Sequence, residues 1–205
     1  MVALLQVITR PFAVTVVAVL VMLQLAAQSG LAQPNKGQVS QIEAYSVQVD
    51  RFIKRTPKSL RIFANVAGVN DDKAQWREFR TEEEREKAGT GENLNENAYV
   101  WTRDRKIIGA NFTFGSPSGD WAHLVMYYFR DDGTLAKIHA QLNTFYGDLS
   151  IVRDLYFDKR GNVLKNTRRY LDLKTQKPTK KPTDFFDHSI PMYRNVRDLP
   201  FHQLL

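Results

Sequence analysis

Cysteine is absent from all 205 residues. That excludes a disulfide framework, a thiol nucleophile and a lipid anchor carried on a cysteine behind a leader. No Gly-x-Ser-x-Gly occurs, so there is no strand-to-helix serine elbow, and Ser116-Pro117-Ser118-Gly119 reads as a loop. No glycine-rich phosphate cradle precedes a helix. The longest apolar run, Phe12 to Ala27, is interrupted by Thr15 and Gln24 and falls short of the ~20 residues a membrane span requires. The four histidines are scattered. His123 and His139 read as diagonal neighbours on a polar strand face with no carboxylate placed to complete a metal triad, and His188 and His202 come late in the chain. Neither a metal nor a cofactor is expected.

The first 32 residues have the three-part form of a secretory leader. Arg10 supplies the positive region, the apolar run follows, and Gly30-Leu31-Ala32 is a small-x-small exit. The expectation is a signal peptide over 1–32, cleaved near Ala32, and a mature domain over 33–205 in the periplasm or outside the cell. An uncleaved anchor is the competing reading. A chain exported to an oxidising compartment without cysteine must rest on its core alone. About 170 residues are enough to bury roughly 70% of the unfolded surface.

What is present is a period. Tyr99-Val100-Trp101, Tyr127-Tyr128-Phe129 and Leu155-Tyr156-Phe157 each run into a polar turn, 28 residues apart. The pattern predicts an α+β domain: an antiparallel β-meander of about six strands over 98–173, built from 28-residue hairpin repeats. N-terminal helices over 33–97 pack on one face. A stripe of Val39, Ile42, Tyr45, Val49, Phe52 and Ile53 predicts a helix from about 38 to 55, ended by Pro57. Leu60–Val66 is short and apolar and has no assigned state. Asp71 and Asp72 ahead of Ala74, Trp76 and Phe79 suggest a second helix start. Thr81 and Glu84 have the spacing of a capping box, and a loop follows over 89–97.

A turn at Arg130–Thr134 with Gly133 at positive φ sets a register in which Tyr128 faces Ala136, Met126 faces Ile138, Leu124 faces Ala140 and Ala122 faces Leu142. Val100, Ile108, Ala110, Phe112 and Phe114 extend that row, which should be the core face under the helix. The opposite face carries His123, Lys137, His139, Gln141, Asn111 and Thr113. Near the turns it also carries Trp101, Ile107, Phe129, Leu135, Phe157 and Val163. An apolar row of that size calls for a cover. The C-terminal segment 183–205, with Phe185-Phe186 and Ile190–Tyr193, arrives over a basic linker at 174–182 and is expected to dock there.

The same register places Asp154 opposite Asn166, Val152 opposite Arg168 and Ser150 opposite Tyr170, all on the core face. Asp154, Asn166, Arg168 and Tyr170 are therefore the candidate ligand-binding pocket. Buried ionic groups are costly unless paired or functional; an extended wet face, a purely structural pair, or a one-residue register slip that flips every assignment are the plainer readings. Asp120 and Asp148 each follow a glycine at a hairpin end, which is ordinary turn chemistry.

Charge is uneven. Residues 33–157 hold 17 basic and 17 acidic side chains, while 158–181 hold nine basic against two acidic. Lys165, Arg169, Lys174 and Lys177 are the candidate polyanion contacts, with anionic lipid or polysaccharide as partner. Tyr156 and Tyr170 interleave with bases as a single-strand-binding surface would, but an exported protein has little access to nucleic acid, so none is expected as a partner. No catalytic constellation is legible, which leaves an enzyme as the less favoured reading. The sequence predicts an exported, non-enzymatic binding module whose partner is a protein, a lipid or a polyanion. The alternative is a periplasmic carrier of a small apolar ligand held between helix and sheet. A hydrolase or isomerase built on Asp154, Arg168 and a tyrosine is the third reading.

Overall fold

The computed structural model describes residues 34–67, 71, 73–89, 96–183 and 188–205. The expected leader, most of the 89–97 loop and Phe185-Phe186 lie outside these residues. The chain divides into two units, 1–38 and 39–205. The first enters the described residues only as the opening of helix α1 (Pro34–Arg55). The second holds the rest of α1, helix α2 (Glu82–Gly89) and one open antiparallel sheet. Its strands are β1 (Leu60–Asn65), β2 (Trp76–Phe79), β3 (Glu96–Arg103), β4 (Lys106–Gly115), β5 (Trp121–Phe129), β6 (Leu135–Thr144), β7 (Leu149–Phe157) and β8 (Val163–Asp172). They lie in the order β2-β1-β3-β4-β5-β6-β7-β8.

The α+β class holds, with eight strands rather than six. Leu60–Asn65 is a strand paired with β3, and Trp76–Phe79 is an edge strand, not a helix start. Trp76 and Phe79 are drawn into the sheet because their side chains fill two different core clusters, one on each face. The helix that does form begins at the capping pair: Glu84 N–H donates to Thr81 Oγ1 at 3.1 Å, and the Glu84 carboxylate accepts from Arg80 N–H at 2.9 Å. The 28-residue hairpin repeat does not describe the sheet. β1 and β2 stand outside it, and the β3–β4 connection is a two-residue turn with Asp104 and Arg105 at φ 51° and 62°. The β5–β6 and β7–β8 hairpins close instead through Gly133 and Gly161 at φ 81° and 83°, with Arg130 N–H bonded to Thr134 O and Asp158 N–H to Asn162 O.

The β3–β4, β5–β6 and β7–β8 hairpins each carry a bulge that the expected register lacks. Trp101 pairs with Gly109 while Thr102 pairs with Ile107, so Ile108 is the extra residue. In the same way Ala136 is extra between the pairs Phe129–Leu135 and Tyr128–Lys137, and Leu164 between Phe157–Val163 and Tyr156–Lys165. A bulge places two successive side chains on one face and shifts the rest by one position. Tyr128 therefore faces Lys137, Met126 faces His139, and Leu124 faces Gln141. Met126 and Ile138 point to opposite sides of the sheet.

The extra residues have a use. Ile108 packs on Val49 of α1, and Ala136 and Leu164 pack around Ile42. α1 thus crosses the sheet over the bulges, with Tyr45 Oη donating to the carbonyl of Phe129. Ser46, on the same helix, is buried and donates to its own Glu43 carbonyl. The helix ends where Pro57 begins a single 3₁₀ turn. On this face α2 adds Ala88 to a cluster of Ile62, Ala64, Phe79 and Tyr99.

The larger core is on the other face. Phe63, Ala98, Val100, Ala110, Phe112, Val125, Tyr127, Phe129, Leu135, Ile138, Ala140, Leu155 and Phe157 are buried there. The row expected under the helix is split: Val100, Ala110, Phe112, Phe114, Ile138 and Ala140 lie here, while Ile108, Met126, Tyr128 and Ala136 lie on the α1 face. Its cover is the segment 188–205, through Ile190, Tyr193, Val196, Leu199 and Phe201. Phe201 stacks on Phe63 with ring centroids 4.3 Å apart and meets Trp76 edge-on at 5.1 Å. The segment is also tied by polar bonds: Leu135 N–H to Arg194 O, Val196 N–H to Gly133 O, Tyr127 Oη to Pro191 O at 2.8 Å, and Arg61 Nη2 to Leu204 O at 2.7 Å. Of the expected outer row, Ile107, Phe129, Leu135 and Phe157 sit under this cover. Trp101 lies on the α1 face, and Val163 is 54% exposed at the end of the edge strand.

Phe201→Ala should cost about 3–5 kcal/mol, the usual loss for emptying a fully buried aromatic site. Urea unfolding followed by near-ultraviolet circular dichroism measures it; a loss under 1 kcal/mol would mean that Phe201 does not close the core.

Candidate functional site

On the α1 face the bulges leave three cross-strand rows. The first runs Trp101, Gly109, Tyr128, Lys137, Tyr156, Lys165 and lies beside or beneath the helix. The second runs Tyr99, Asn111, Met126, His139, Asp154, Thr167, and the third Asn97, Thr113, Leu124, Gln141, Val152, Arg169. The helix is too narrow to cover all three. Where it passes over β3–β6, an open groove of about 270 Å3 remains. Its floor is Asn111, Leu124, Met126, His139 and Gln141, and its wall is Asp50 and Ile53 of α1 with Trp101. A Cβ at Gly109 would meet Val49 and Ile53 of the helix in ordinary contact at 3.6 Å and would displace only the Met126 methyl, 2.7 Å away on the groove floor.

A ladder of ionic groups borders the groove. Lys137 is 8% exposed and reaches up to α1, its Nζ 2.9 Å from Glu43 Oε2 and 3.7 Å from Asp154 Oδ1. The ammonium sits 5.1 Å from the Tyr156 ring centroid and 5.8 Å from that of Tyr128. Tyr156 Oη donates to Glu43 and Tyr128 Oη to Asp50, both carboxylates of the helix. Burial, with the neighbouring carboxylates, pushes both phenols well above their ordinary range. Burial also pushes the Glu43 carboxyl up, but the hydrogen bonds from Lys137 and Tyr156 outweigh it and hold Glu43 below the usual carboxylate range.

His139 and Asp154 face each other directly across β6 and β7, with His139 Nδ1 2.8 Å from Asp154 Oδ1. Asp154 is 16% exposed and His139 39%. The carboxylate is thus the buried end of the pair and the imidazole the open end. Burial pushes the Asp154 carboxyl up; His139 first, then the Lys137 and Arg169 charges, outweigh that and hold it below its ordinary value. An ionised carboxylate only accepts hydrogen bonds, so Nδ1 carries the proton. Nε2 is then the remaining nitrogen of a ring that lines the groove.

Of the four candidate ligand residues, only Asp154 belongs to this arrangement. The Leu164 bulge moves the other three off its face. Asn166 faces Leu155 and accepts from Arg153 Nε, Arg168 faces Arg153, and Tyr170 faces Ile151. Arg168 and Tyr170 contact one another, Nη1 to Oη at 3.4 Å, on the far side of the sheet from Asp154. Of the candidate polyanion contacts, Lys165 lies over the Tyr156 ring at 5.6 Å and Arg169 is close enough to act on Asp154. Lys174 and Lys177 are exposed beyond β8. The sequence reading missed Lys137, His139 and Glu43. A signal for the pair was present: His139 and Asp154 stand seven residues either side of the Tyr146–Gly147 turn, and no bulge intervenes. Among the described residues no three His, Cys, Asp or Glu side chains gather as a metal site, and no helix is long and apolar enough to cross a membrane.

Comparison with protein-family models, with curated proteins and with solved structures finds no match to this chain.

Asp154→Asn should lower stability at neutral pH by roughly 1–3 kcal/mol, the range for losing a hydrogen bond to a charged group. The folded carboxyl titrates below the unfolded one, so the stability it supplies is present above about pH 4, the unfolded value, and is lost as pH falls through the lower folded value. Thermal melts from pH 3 to 7 should therefore show a shallower acid limb in the variant; identical limbs would mean that the pair adds no stability.

Proposed function

We propose that this chain is an exported binding module that holds a small, largely apolar molecule in the groove between α1 and the sheet. The observation that carries the reading is the groove itself. Ile53, Trp101, Leu124 and Met126 offer an apolar lining, and Asp50, Asn111, His139 and Gln141 place four polar groups around it. A mostly apolar cavity with a few convergent polar groups is the usual form of a small-molecule site. A volume of about 270 Å3 is just below the ~300–1,000 Å3 typical of drug-sized ligands. It suits a molecule of one or two rings rather than a long acyl chain. The leader over 1–32, removed near Ala32, would deliver residues 33–205 to the periplasm or the cell exterior as one domain.

The neutral fluorophore N-phenyl-1-naphthylamine tests the groove. Binding should raise its emission, and Leu124→Trp should weaken binding at least about tenfold, since it fills the floor from a position already 38% exposed and costs little stability. Equal binding by the variant, or none by the parent protein, rejects the reading.

A second surface supports a separate contact with anionic lipid. At the β6–β7 turn, Phe145 and Tyr146 are 68% and 61% exposed. The turn is held by Phe145 N–H to Asp120 O, and Leu173 N–H reaches Asp148 O. The basic segment returns beside it, since a Cβ on Gly147 would lie 3.6 Å from Pro182. Lys174, Lys177, Lys180 and Lys181 are all exposed there, against Asp148 and Asp172. Aromatic tips flanked by lysines suit the headgroup region of a negatively charged bilayer. Co-sedimentation with phosphatidylglycerol vesicles should fall steeply between 50 and 300 mM salt, as screening requires, and should be lost in a Phe145→Ser, Tyr146→Ser variant. Binding that ignores both salt and the variant excludes this surface.

A further inference from the structure

We infer that the groove is a proton-transfer site in which His139 is the base, Asp154 its positioning residue, and the substrate a small carbonyl compound with an acidic C–H beside the carbonyl. The inference rests on the groove being a ligand site and adds the chemistry done there. Three observations carry it. The imidazole lines the groove while its Nδ1 is bonded at 2.8 Å to a carboxylate that is 16% exposed. That bond fixes the ring plane and the tautomer and leaves the Nε2 lone pair as the basic site, the arrangement by which a buried carboxylate orients a histidine base. The rest of the exposed lining is largely apolar, which suits a weakly hydrated carbon acid seated beside the imidazole.

The step balances without a co-reactant. Nε2 takes the proton from the carbon next to the carbonyl. The C–H pair becomes the enolate double bond, and the carbonyl π pair moves to oxygen. The side-chain amide of Asn111, two strands from His139 in the same cross-strand row and on the groove floor, is a donor for that oxygen. Return of the proton from Nε2 to another carbon of the conjugated system completes an isomerisation. The charged and titratable groups around His139 are Asp154 on β7, Lys137 on its own strand, Arg169 on β8, and Glu43 and Asp50 on α1, with Tyr128 and Tyr156 beneath the helix. Lys137 is already engaged by Glu43 and Asp154, which leaves His139 as the basic nitrogen at the groove.

The test uses the full chain and 5-nitrobenzisoxazole, a small, flat carbon acid. Loss of the C–H proton of its isoxazole ring to a base forms the C≡N bond and breaks the N–O bond, whose electron pair stays on oxygen, and opens the ring to a coloured cyanophenolate. The expected result is a saturable elimination, rising with pH through one ionisation. His139→Gln should lower kcat/KM about 100-fold, within the range for removing a general base. Asp154→Asn should lower it about tenfold and displace the pH profile, a change that a purely structural carboxylate would not cause. Both variants should keep the parent's near-ultraviolet circular dichroism, which shows that α1 and the sheet are still packed; their affinity for N-phenyl-1-naphthylamine is read separately, since His139 lines the groove. If the probe binds but elimination is unchanged in His139→Gln, or no faster than with equimolar free imidazole, the groove reading stands and the proton-transfer reading is overturned. An Asp154→Asn variant with unaltered rate and pH profile overturns the positioning role. Failure of the probe to bind the parent protein overturns both readings at their shared base.

Discussion

Side-chain phase is the constraint on which this structure depends. In a sheet covered on both faces, a slip of one position exchanges the two cores. Here phase is not constant along the hairpins. It shifts at Ile108, Ala136 and Leu164, each an extra residue near a turn and each in contact with α1 or its cluster. Toward the turn, Leu135 faces the segment 188–205; past the bulge, Ile138 does so again, and both Ala136 and Lys137 are left for the helix. The helix therefore receives Ile108, Ala136 and Leu164 at its crossing points, and the larger core keeps Val100, Ala110, Tyr127, Ile138 and Leu155 in one apolar row.

That constraint also explains what could be read from the amino-acid order and what could not. The stripe from Val39 to Ile53, the Thr81–Glu84 cap and the glycines of the second and third hairpins depend on neighbours within a few residues, and they form as local physics requires. A bulge has no such local mark. Ala136 and Leu164 are ordinary strand residues, and their extra place in the ladder is settled by Ile42, which comes from a helix more than 90 residues earlier in the chain. One unmarked residue per hairpin was enough to send Asn166, Arg168 and Tyr170 to the far face and to hide the meeting of Lys137, His139 and Asp154 with Glu43. Trp76 and Phe79 misled for a related reason: two aromatics three apart fit a helix face, but the sheet needs one of them on each side.

The ionic ladder under α1 has a double character. Lys137 at 8% exposure would be expensive alone, and it is retained with two carboxylates and two aromatic faces around it. Glu43 and Asp50 accept from Tyr156 and Tyr128, so the helix is placed over the sheet by directional polar bonds as well as by its apolar stripe. Directional bonds fix the rotation and slide of a helix more tightly than burial does. The width of the groove beside it, and the attitude of His139 within that groove, follow from the same fixation.

Phe201 stacks on Phe63, a residue of the first strand, from the far side of all eight strands in chain order. A ribosome delivers these two rings about 140 positions apart, so the larger core stays open while every strand emerges and seals only after Phe201 has followed. Until that moment the apolar residues of the larger core stay exposed, the state that holding chaperones grip. Sealing of the larger core is therefore coupled to the arrival of the segment 188–205 and not to the formation of any one hairpin.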